Sequence, residues 1–288
     1  MVNAATAAPV LPSEARAAWS GFLDLGVERR ENRTALVRRY HYGPLRVQRP
    51  FYPEGDQVCH IYVLHPPGGI ANGDDLNIVV RINRGAGALV TTPAAAKFYR
   101  CAQGAGRLVQ RLRVAAQATL EWLPQETIVF DGARADAVTQ VHLAAGSRFI
   151  GWEIVCLGRP ACRETFQRGR FSVLFQVFRD DRPLYLESGR YVGGEPMLAQ
   201  WWGLAGFPVI GSMVATLDDE RVLQALQGQF NRRSEDAWQS VTGLDGLIVV
   251  RYMGTSSEQA RRWFERVWQI IRPALLGRPA CAPRIWRT

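Results

Sequence analysis

The feature that most constrains the fold is a repeated alternation of apolar and polar residues over short segments. In the segment RLVQRLRV, residues 108, 110, 112 and 114 share one face of an extended chain, and residues 109, 111 and 113 share the other. A period of two residues is typical of a half-buried strand. Comparable segments are LRVQRPFY, HIYVLH, LNIVVRIN, ATLEWL, ETIVF, AVTQVHL, RFIGWEIVCL, RFSVLFQVFR and RPLYLESGRY, and Asp180-Asp181-Arg182-Pro183 between the last two predicts a hairpin turn. The chain is therefore predicted to be mainly β, with about a dozen or more short strands.

Helical spacing appears only near the C-terminal end. Asp218 is predicted to cap one helix, and Ser256 or Ser257 a second one that Pro273 ends or kinks. The apolar positions are Val222, Leu223, Leu226 and Phe230 in the first helix, and Ala260, Trp263, Phe264, Val267, Trp268 and Ile271 in the second. We expect these tryptophans to be core residues. Residues 218–276 should form a small α/β element that packs on the β body.

Bulk properties narrow the class of protein. The net charge of +9 raises the expectation of an anionic partner, but the arginines are scattered singly or in pairs. An Arg-rich nucleic-acid-binding protein therefore remains only an alternative. The uncharged stretch 196–217 contains three glycines and two prolines, which favours a bent, buried strand over a membrane span. We expect one domain over residues 1–288, with residues 1–15 disordered. We expect the protein to lie in the reducing cytoplasm.

Motifs of common enzymes are missing. The sequence has no GxxxxGK[ST] loop, no GxSxG elbow and no HExxH pair. Cys59, His60 and His65 offer ligands for zinc, but adjacent strand residues point to opposite faces, so Cys59 and His60 are not expected to share a metal. We instead expect His60 and His65 to donate to backbone carbonyls.

Several carboxylates lie in apolar surroundings. They are Asp74 and Asp75 in the loop HPPGGIANGDDL, Glu121 in LEWL, Glu153 in GWEIV, and Glu187 in LYLES. Burying a carboxylate is costly unless it is paired, hydrated or bound to a cation. Each acid therefore either pairs with an arginine or lines a wet passage that binds a divalent cation loosely. A further alternative is a hydrolase that uses Asp74 and Glu187 as an acid and base pair.

Six ordered motifs carry a family resemblance. They are GPLRVQRPFYPEG, CHIYVLHPPGGI with GDDL, KFYR, LEWLPQETIVFDGA, CLGRPA and PRIWRT. Together they resemble the UreD family of urease accessory proteins, called UreH in some systems. The sequence departs from the family at Asn72, where glycine is usual, and at Ala94 and Ala96. Asn tolerates a left-handed backbone, so we expect the turn at Asn72 to be kept.

The resemblance implies a fold and a role. The fold would be a helix-like stacking of strands with two helices. The protein would be a non-catalytic scaffold, without a tightly bound cofactor, that binds apo-urease and UreF, with the GTPase UreG docking through UreF. Nickel would pass transiently through an internal water-filled tunnel. The family's transit residues map onto Asp74, Glu153 and Glu187, and Asp74 would face the passage. We expect Trp201, Trp202, Phe207 and the segment PRIW to be candidates for partner contacts.

Overall fold

Two large β-sheets and three α-helices make up the computed structural model, which describes residues 18–287. The predicted disorder of residues 1–15 lies outside the described residues. The strands are β1 Ser20–Arg30, β2 Arg33–Tyr42, β3 Arg46–Val47, β4 Val58–Leu64, β5 Asp75–Ile82, β6 Gly87–Thr91, β7 Ala96–Phe98, β8 Gly106–Val114, β9 Thr119–Trp122, β10 Thr127–Val129, β11 Arg134–Leu143, β12 Arg148–Leu157, β13 Arg170–Arg179, β14 Arg182–Val192, β15 Val209–Ala215, β16 Arg232–Arg233, β17 Ala237–Leu244 and β18 Leu247–Gly254. The helices are α1 Pro196–Ala199, α2 Glu220–Phe230 and α3 Ser257–Leu276, with short 3₁₀ turns at Pro160–Cys162 and Arg284–Arg287.

The chain winds back and forth between the two sheets. The seven-stranded sheet has the order β14-β13-β11-β8-β5-β1-β2, and the main path of the eleven-stranded sheet is β16-β17-β18-β15-β12-β9-β6-β4-β3. Strands β5, β8, β11 and β13 are parallel in the first sheet, and β4, β6, β9 and β12 are parallel in the second. Each turn of the chain thus adds one strand to each sheet. The predicted helix-like stacking of strands is confirmed.

Local sequence explains the strands and their turns. In β8, Leu108, Leu112 and Val114 are buried while Arg107 and Arg113 are exposed, as the alternation predicts. The predicted hairpin turn also forms, because residues 180 and 181 both adopt a left-handed backbone between β13 and β14, with φ of 47° and 62°. Aspartate tolerates this conformation better than most residues.

The two C-terminal helices differ from the prediction in detail. The cap of α2 is Asp219, one residue later than predicted, and its carboxylate accepts the backbone N–H groups of residues 221 and 222. Ser256 caps α3 as predicted, through the N–H of Gln259. Of the two predicted effects of Pro273, to end or to kink this helix, the first was wrong. The helix continues for most of a turn and ends at Gly277, which adopts the left-handed conformation that glycine favours.

Two cores result from this arrangement. One lies between the sheets, and the other lies between the eleven-stranded sheet and helices α2 and α3. Trp263 and Trp268 are completely buried in the second core, which confirms their structural role. Within residues 18–287, no helix is long and apolar enough to cross a lipid bilayer. The space between the sheets is bordered by two of the acids that the sequence singled out, Glu153 and Glu187, and it is the candidate site.

Candidate functional site

Glu153 lies on the inner face of β12, between the two sheets. The register of the neighbouring strands places Ser212 of β15 beside it, and Arg251 of β18 beside Ser212. In the facing sheet the row Glu187, Phe175, Thr139 and Gln110 crosses β14, β13, β11 and β8. Thr139 hydrogen-bonds Glu153, and Gln110 donates to Thr139 over 3.0 Å. The two inner faces therefore meet at polar side chains within a mostly apolar core.

The environment of Glu153 disfavours its charge. Burial raises the pKa of Glu153 to about 7; the hydrogen bond with Thr139 opposes this shift, and the charge of Glu187 adds to it. The side chain is surrounded by protein but keeps partial solvent access, because it borders cavities on both sides. In the described part of the chain, no arginine forms an ion pair with Glu153.

Glu187 lies nearer the surface, with a side chain 32% exposed. The hydroxyl of Tyr185 donates to Glu187 Oε2 over 2.8 Å, and the guanidinium of Arg251, itself 57% exposed, lies 3.9 Å from Glu187 Oε1. Burial and the charge of Glu187 raise the pKa of both Tyr185 and Tyr191 to about 12. Both phenols therefore stay protonated at neutral pH and can donate hydrogen bonds.

Three cavities that share wall residues lie in this region. The Glu187 cavity, of about 200 Å³, contains Glu187, Glu153 and Arg251 in its wall. The central cavity, of about 480 Å³, lies between the sheets and shares residues 153, 155 and 173 with the first. The proline-loop cavity, of about 530 Å³, shares Pro66 with the central cavity and is bordered by Trp19 at the surface. We call the three together the corridor. A water molecule needs only about 10–15 Å³ of such space, so every cavity is large enough for several waters.

Asp74 is held by the backbone of its own loop and of the segment before β1. Its carboxylate accepts the backbone N–H of Trp19 over 2.7 Å and that of Ala71 over 2.9 Å. Asn72 adopts φ of 41°, so the turn is kept as predicted, and its side chain accepts the N–H of Ala102. Within residues 18–287, the walls of the three corridor cavities do not include Asp74. The charge of Asp74 nevertheless acts on His65, which does line the central cavity.

His65 is a corridor residue that sequence reasoning did not identify as one. Burial lowers the pKa of His65, against the opposing influence of Asp74. The imidazole is therefore neutral at neutral pH and has a nitrogen lone pair available to a cation. The sequence signals were its place among the candidate zinc ligands and its position directly before the Pro66-Pro67 turn, immediately after β4.

Glu121 has quite different surroundings from Glu153. It is fully buried, accepts the indole N–H of Trp268 over 2.7 Å, and accepts the Nε–H of Arg272 at both oxygens. Arg272 also binds both oxygens of Glu54, at 2.7 and 2.8 Å. Glu121 is therefore paired with an arginine, which is one of the two explanations predicted for a buried acid.

His60 does not donate to a backbone carbonyl, so that prediction was wrong. Its Nε2 lies 2.7 Å from Glu54 Oε1, and burial raises the pKa of Glu54 while His60 and Arg272 lower it, with a net decrease. Cys59 points into the core between the sheets, so Cys59 and His60 face opposite sides as predicted.

The hydrolase alternative uses Asp74 and Glu187 as an acid and base pair. Asp74 and Glu187 do not share a cavity in the described structure, so the geometry does not favour them as an acid and base pair.

The candidates for partner contacts differ in their exposure to solvent. Trp201 and Trp202 are 79% and 59% exposed, as an interface would require. Phe207 and Trp286 are buried, and Trp286 donates to Thr91 over 2.9 Å, so both belong to the core.

Comparisons with known proteins agree on one family. The family model "UreD urease accessory protein" matches residues 20–287. A urease accessory protein UreD of Dechloromonas aromatica is 47% identical over 285 residues, which cover 97% of this chain and 98% of that protein. A UreD protein of Azoarcus sp. is 48% identical over 276 residues, covering 95% and 96%, and a UreD 2 protein of Brucella anthropi is 42% identical over 271 residues, covering 94% and 98%. The family model and these relatives identify the chain as a member of the UreD family of urease accessory proteins, with a role in urease maturation.

Proposed function

We propose that this protein inserts nickel into urease as a chaperone and is not an enzyme. In this proposal it is a cytoplasmic scaffold that binds apo-urease and UreF, and the GTPase UreG docks through UreF. It has no tightly bound cofactor, and Ni²⁺ is its transient cargo. The family membership supports the role in urease maturation, and the five free cysteines suit a reducing compartment.

The single observation that carries the proposal is the corridor between the sheets. Glu187 lies where its first cavity meets solvent, and Glu153 lies in the wall between that cavity and the next. The neutral imidazole of His65 lies farther along. Single oxygen or nitrogen ligands separated by water bind a divalent cation weakly, whereas a closed cage of cysteines and histidines would retain it. The corridor thus offers ligands suited to transfer.

Asp74 contributes to transit in a different way from the two glutamates. Its carboxylate is occupied by two backbone N–H groups, so it fixes the glycine-rich turn instead of presenting free oxygens. That turn forms part of the corridor wall through Pro66 and Gly68. We therefore assign Asp74 to the shape and charge of the corridor near His65.

Trp201 and Trp202 are the proposed partner contacts. They follow α1 and form the most exposed pair of large aromatic residues in the described chain. Tryptophan is strongly enriched among residues that dominate binding energy at protein interfaces. Replacing both by serine should weaken copurification with UreF or urease.

The test is urease maturation with a Glu153→Gln, Glu187→Gln double variant, which removes the charge of both acids while conserving their shape. Nickel per urease active site and copurification of the accessory complex are measured together. We expect nickel content to fall at least about tenfold while the complex still assembles, because both charged cation ligands of the corridor are lost.

The matched control is Glu235→Gln, an exposed acid outside the corridor cavities, which should leave nickel content unchanged. Normal nickel content with the double variant would remove both acids from the transit path. Loss of complex assembly in that variant would mean that they act in folding or docking instead.

A further inference from the structure

A second group of potential metal ligands lies outside the corridor. Glu54 in the loop before β4, His60 in β4 and Cys281 in the segment after α3 each offer one ligand atom, and these atoms lie within 4.8 Å of one another. The three residues are separated by up to 227 positions in the chain, so only the fold brings them together. None of the three lines the corridor cavities of the described structure.

One nitrogen of this group has no hydrogen-bond partner. His60 is completely buried, and while its Nε2 lies on Glu54, its Nδ1 has no partner among the described residues. Nε2 is the ring nitrogen that faces Glu54, so Nε2 is the atom that would bind a metal beside the carboxylate, and Nδ1 would then carry the ring proton.

The position of Cys281 is fixed by the same buried arginine that holds Glu54. Arg272 binds both oxygens of Glu54, and its other terminal nitrogen donates to the carbonyl of Pro279, two residues before Cys281. The thiol is thereby held near the carboxylate and the imidazole. Glu54 is only 11% exposed and Cys281 is partly exposed, so solvent reaches the group from the side of Cys281.

The charges of the group suit a divalent cation. Glu54 and Glu121 are two buried carboxylates that share the single buried cation Arg272, and Arg278 lies at the edge, 3.8 Å from Glu54 and 33% exposed. A divalent ion that displaces the thiol proton would bring these two acids, Arg272, the thiolate and the ion to zero net charge. Arg278 can turn into solvent, because it is not enclosed.

We propose that Glu54, His60 and Cys281 form a binding site for a borderline-soft divalent cation such as Zn²⁺, Co²⁺ or Ni²⁺. A set of one carboxylate, one imidazole and one thiolate selects these ions over Mg²⁺ and Ca²⁺. Metal bonds of about 2.0–2.3 Å place tetrahedral ligand atoms about 3.3–3.8 Å apart, so His60 Nε2 and Glu54 Oε1, which are 2.7 Å apart, must separate slightly to admit the ion. Three protein ligands leave a fourth position for water. The site is independent of metal transit through the corridor.

The test is titration of the purified full-length chain with Co²⁺, followed by competition with Zn²⁺ and Ni²⁺. We expect one ion per chain with a thiolate-to-cobalt charge-transfer absorption. Cys281→Ser should abolish this absorption and weaken binding by at least about 10–100-fold, the loss seen when even an indirect metal partner is removed. His60→Gln should weaken binding to a similar degree.

The matched control is Cys162→Ser, which removes an exposed cysteine far along the chain from the group. This variant should keep both the absorption and the affinity. The proposal is overturned if the wild-type chain binds none of the three ions, or if Cys281→Ser binds cobalt with unchanged absorption. It is also overturned if Cys162→Ser loses the absorption instead. The Glu153→Gln, Glu187→Gln variant should retain this site, which separates it from the corridor.

Discussion

Glu121 and Glu153 are both strand acids in apolar sequence, yet the fold treats them in opposite ways. Glu121 of β9 is fully buried and bound by Arg272 and Trp268. Glu153 of β12 has a threonine as its hydrogen-bond partner and borders two cavities. The difference is that one buried acid joins the sheet to α3 through an ion pair, while the other borders space that solvent can enter.

The largest expected effect is on stability, from Glu121→Gln. The change leaves Arg272 buried with only Glu54 as a charged partner, and breaking a buried ion pair typically costs about 3–5 kcal/mol. We expect a loss of about 3 kcal/mol, the lower end of this range, because Glu54 remains. Denaturant unfolding measures it. Unchanged stability would mean that Glu121 is not the structural acid of the pair.

Glu153→Gln should have the opposite effect, and one that depends on pH. Burial raises the folded-state pKa of Glu153 from 4.5 to about 7. Because this carboxyl pKa is raised on folding, the contribution of Glu153 to the free energy of unfolding is greatest below about pH 4.5. That contribution is lost as the pH rises through about 7. The variant does not titrate there. Its stability relative to wild type should therefore increase between pH 5 and 9, by at most about 3 kcal/mol.

This prediction is checked by unfolding both proteins across that pH range. Glu235→Gln is the control, because it removes an exposed acid that lies outside the corridor cavities. A difference between wild type and Glu153→Gln that stays constant with pH would show that Glu153 is paired as Glu121 is.

Arg251→Gln should have the smallest effect. Arg251 lies 3.9 Å from Glu187 and is more than half exposed, and exposed ion pairs contribute only about 0–1 kcal/mol. Stability should fall by less than about 1 kcal/mol. A loss as large as that of Glu121→Gln would mean that Glu187 is held by its arginine and is not free to meet a cation.

The sequence predicted the type of each element better than the partners of each side chain. Alternation and capping are local signals, so β8, the hairpin at residues 180 and 181, and the start of α3 could be read directly. The surroundings of Glu121 could not be predicted from the sequence. Its partner Arg272 lies 151 residues away and reaches Glu121 only because α3 packs on the sheet.

The same limit applies to the candidate site. The carboxylates were recognised as unusual because they interrupt apolar strands, and Glu153 and Glu187 do meet at one cavity. Glu153 and Glu187 come together only because of the way the strands stack. The approach of Cys281 to His60 likewise depends on the tertiary fold. Asp74 looked like a corridor ligand because its loop is distinctive, but its oxygens bond the backbone of that loop and of Trp19.

The most direct test of the account is to block the corridor without changing any charge. Val173 of β13 lines both the Glu187 cavity and the central cavity, and its neighbour Leu174 points to the other face of the strand. Nickel per urease active site is measured after maturation with Val173→Phe and with Leu174→Phe. The account predicts nickel-poor urease from a fully assembled complex with Val173→Phe, and normal urease with Leu174→Phe. Normal nickel content with a folded, assembled Val173→Phe protein would contradict it.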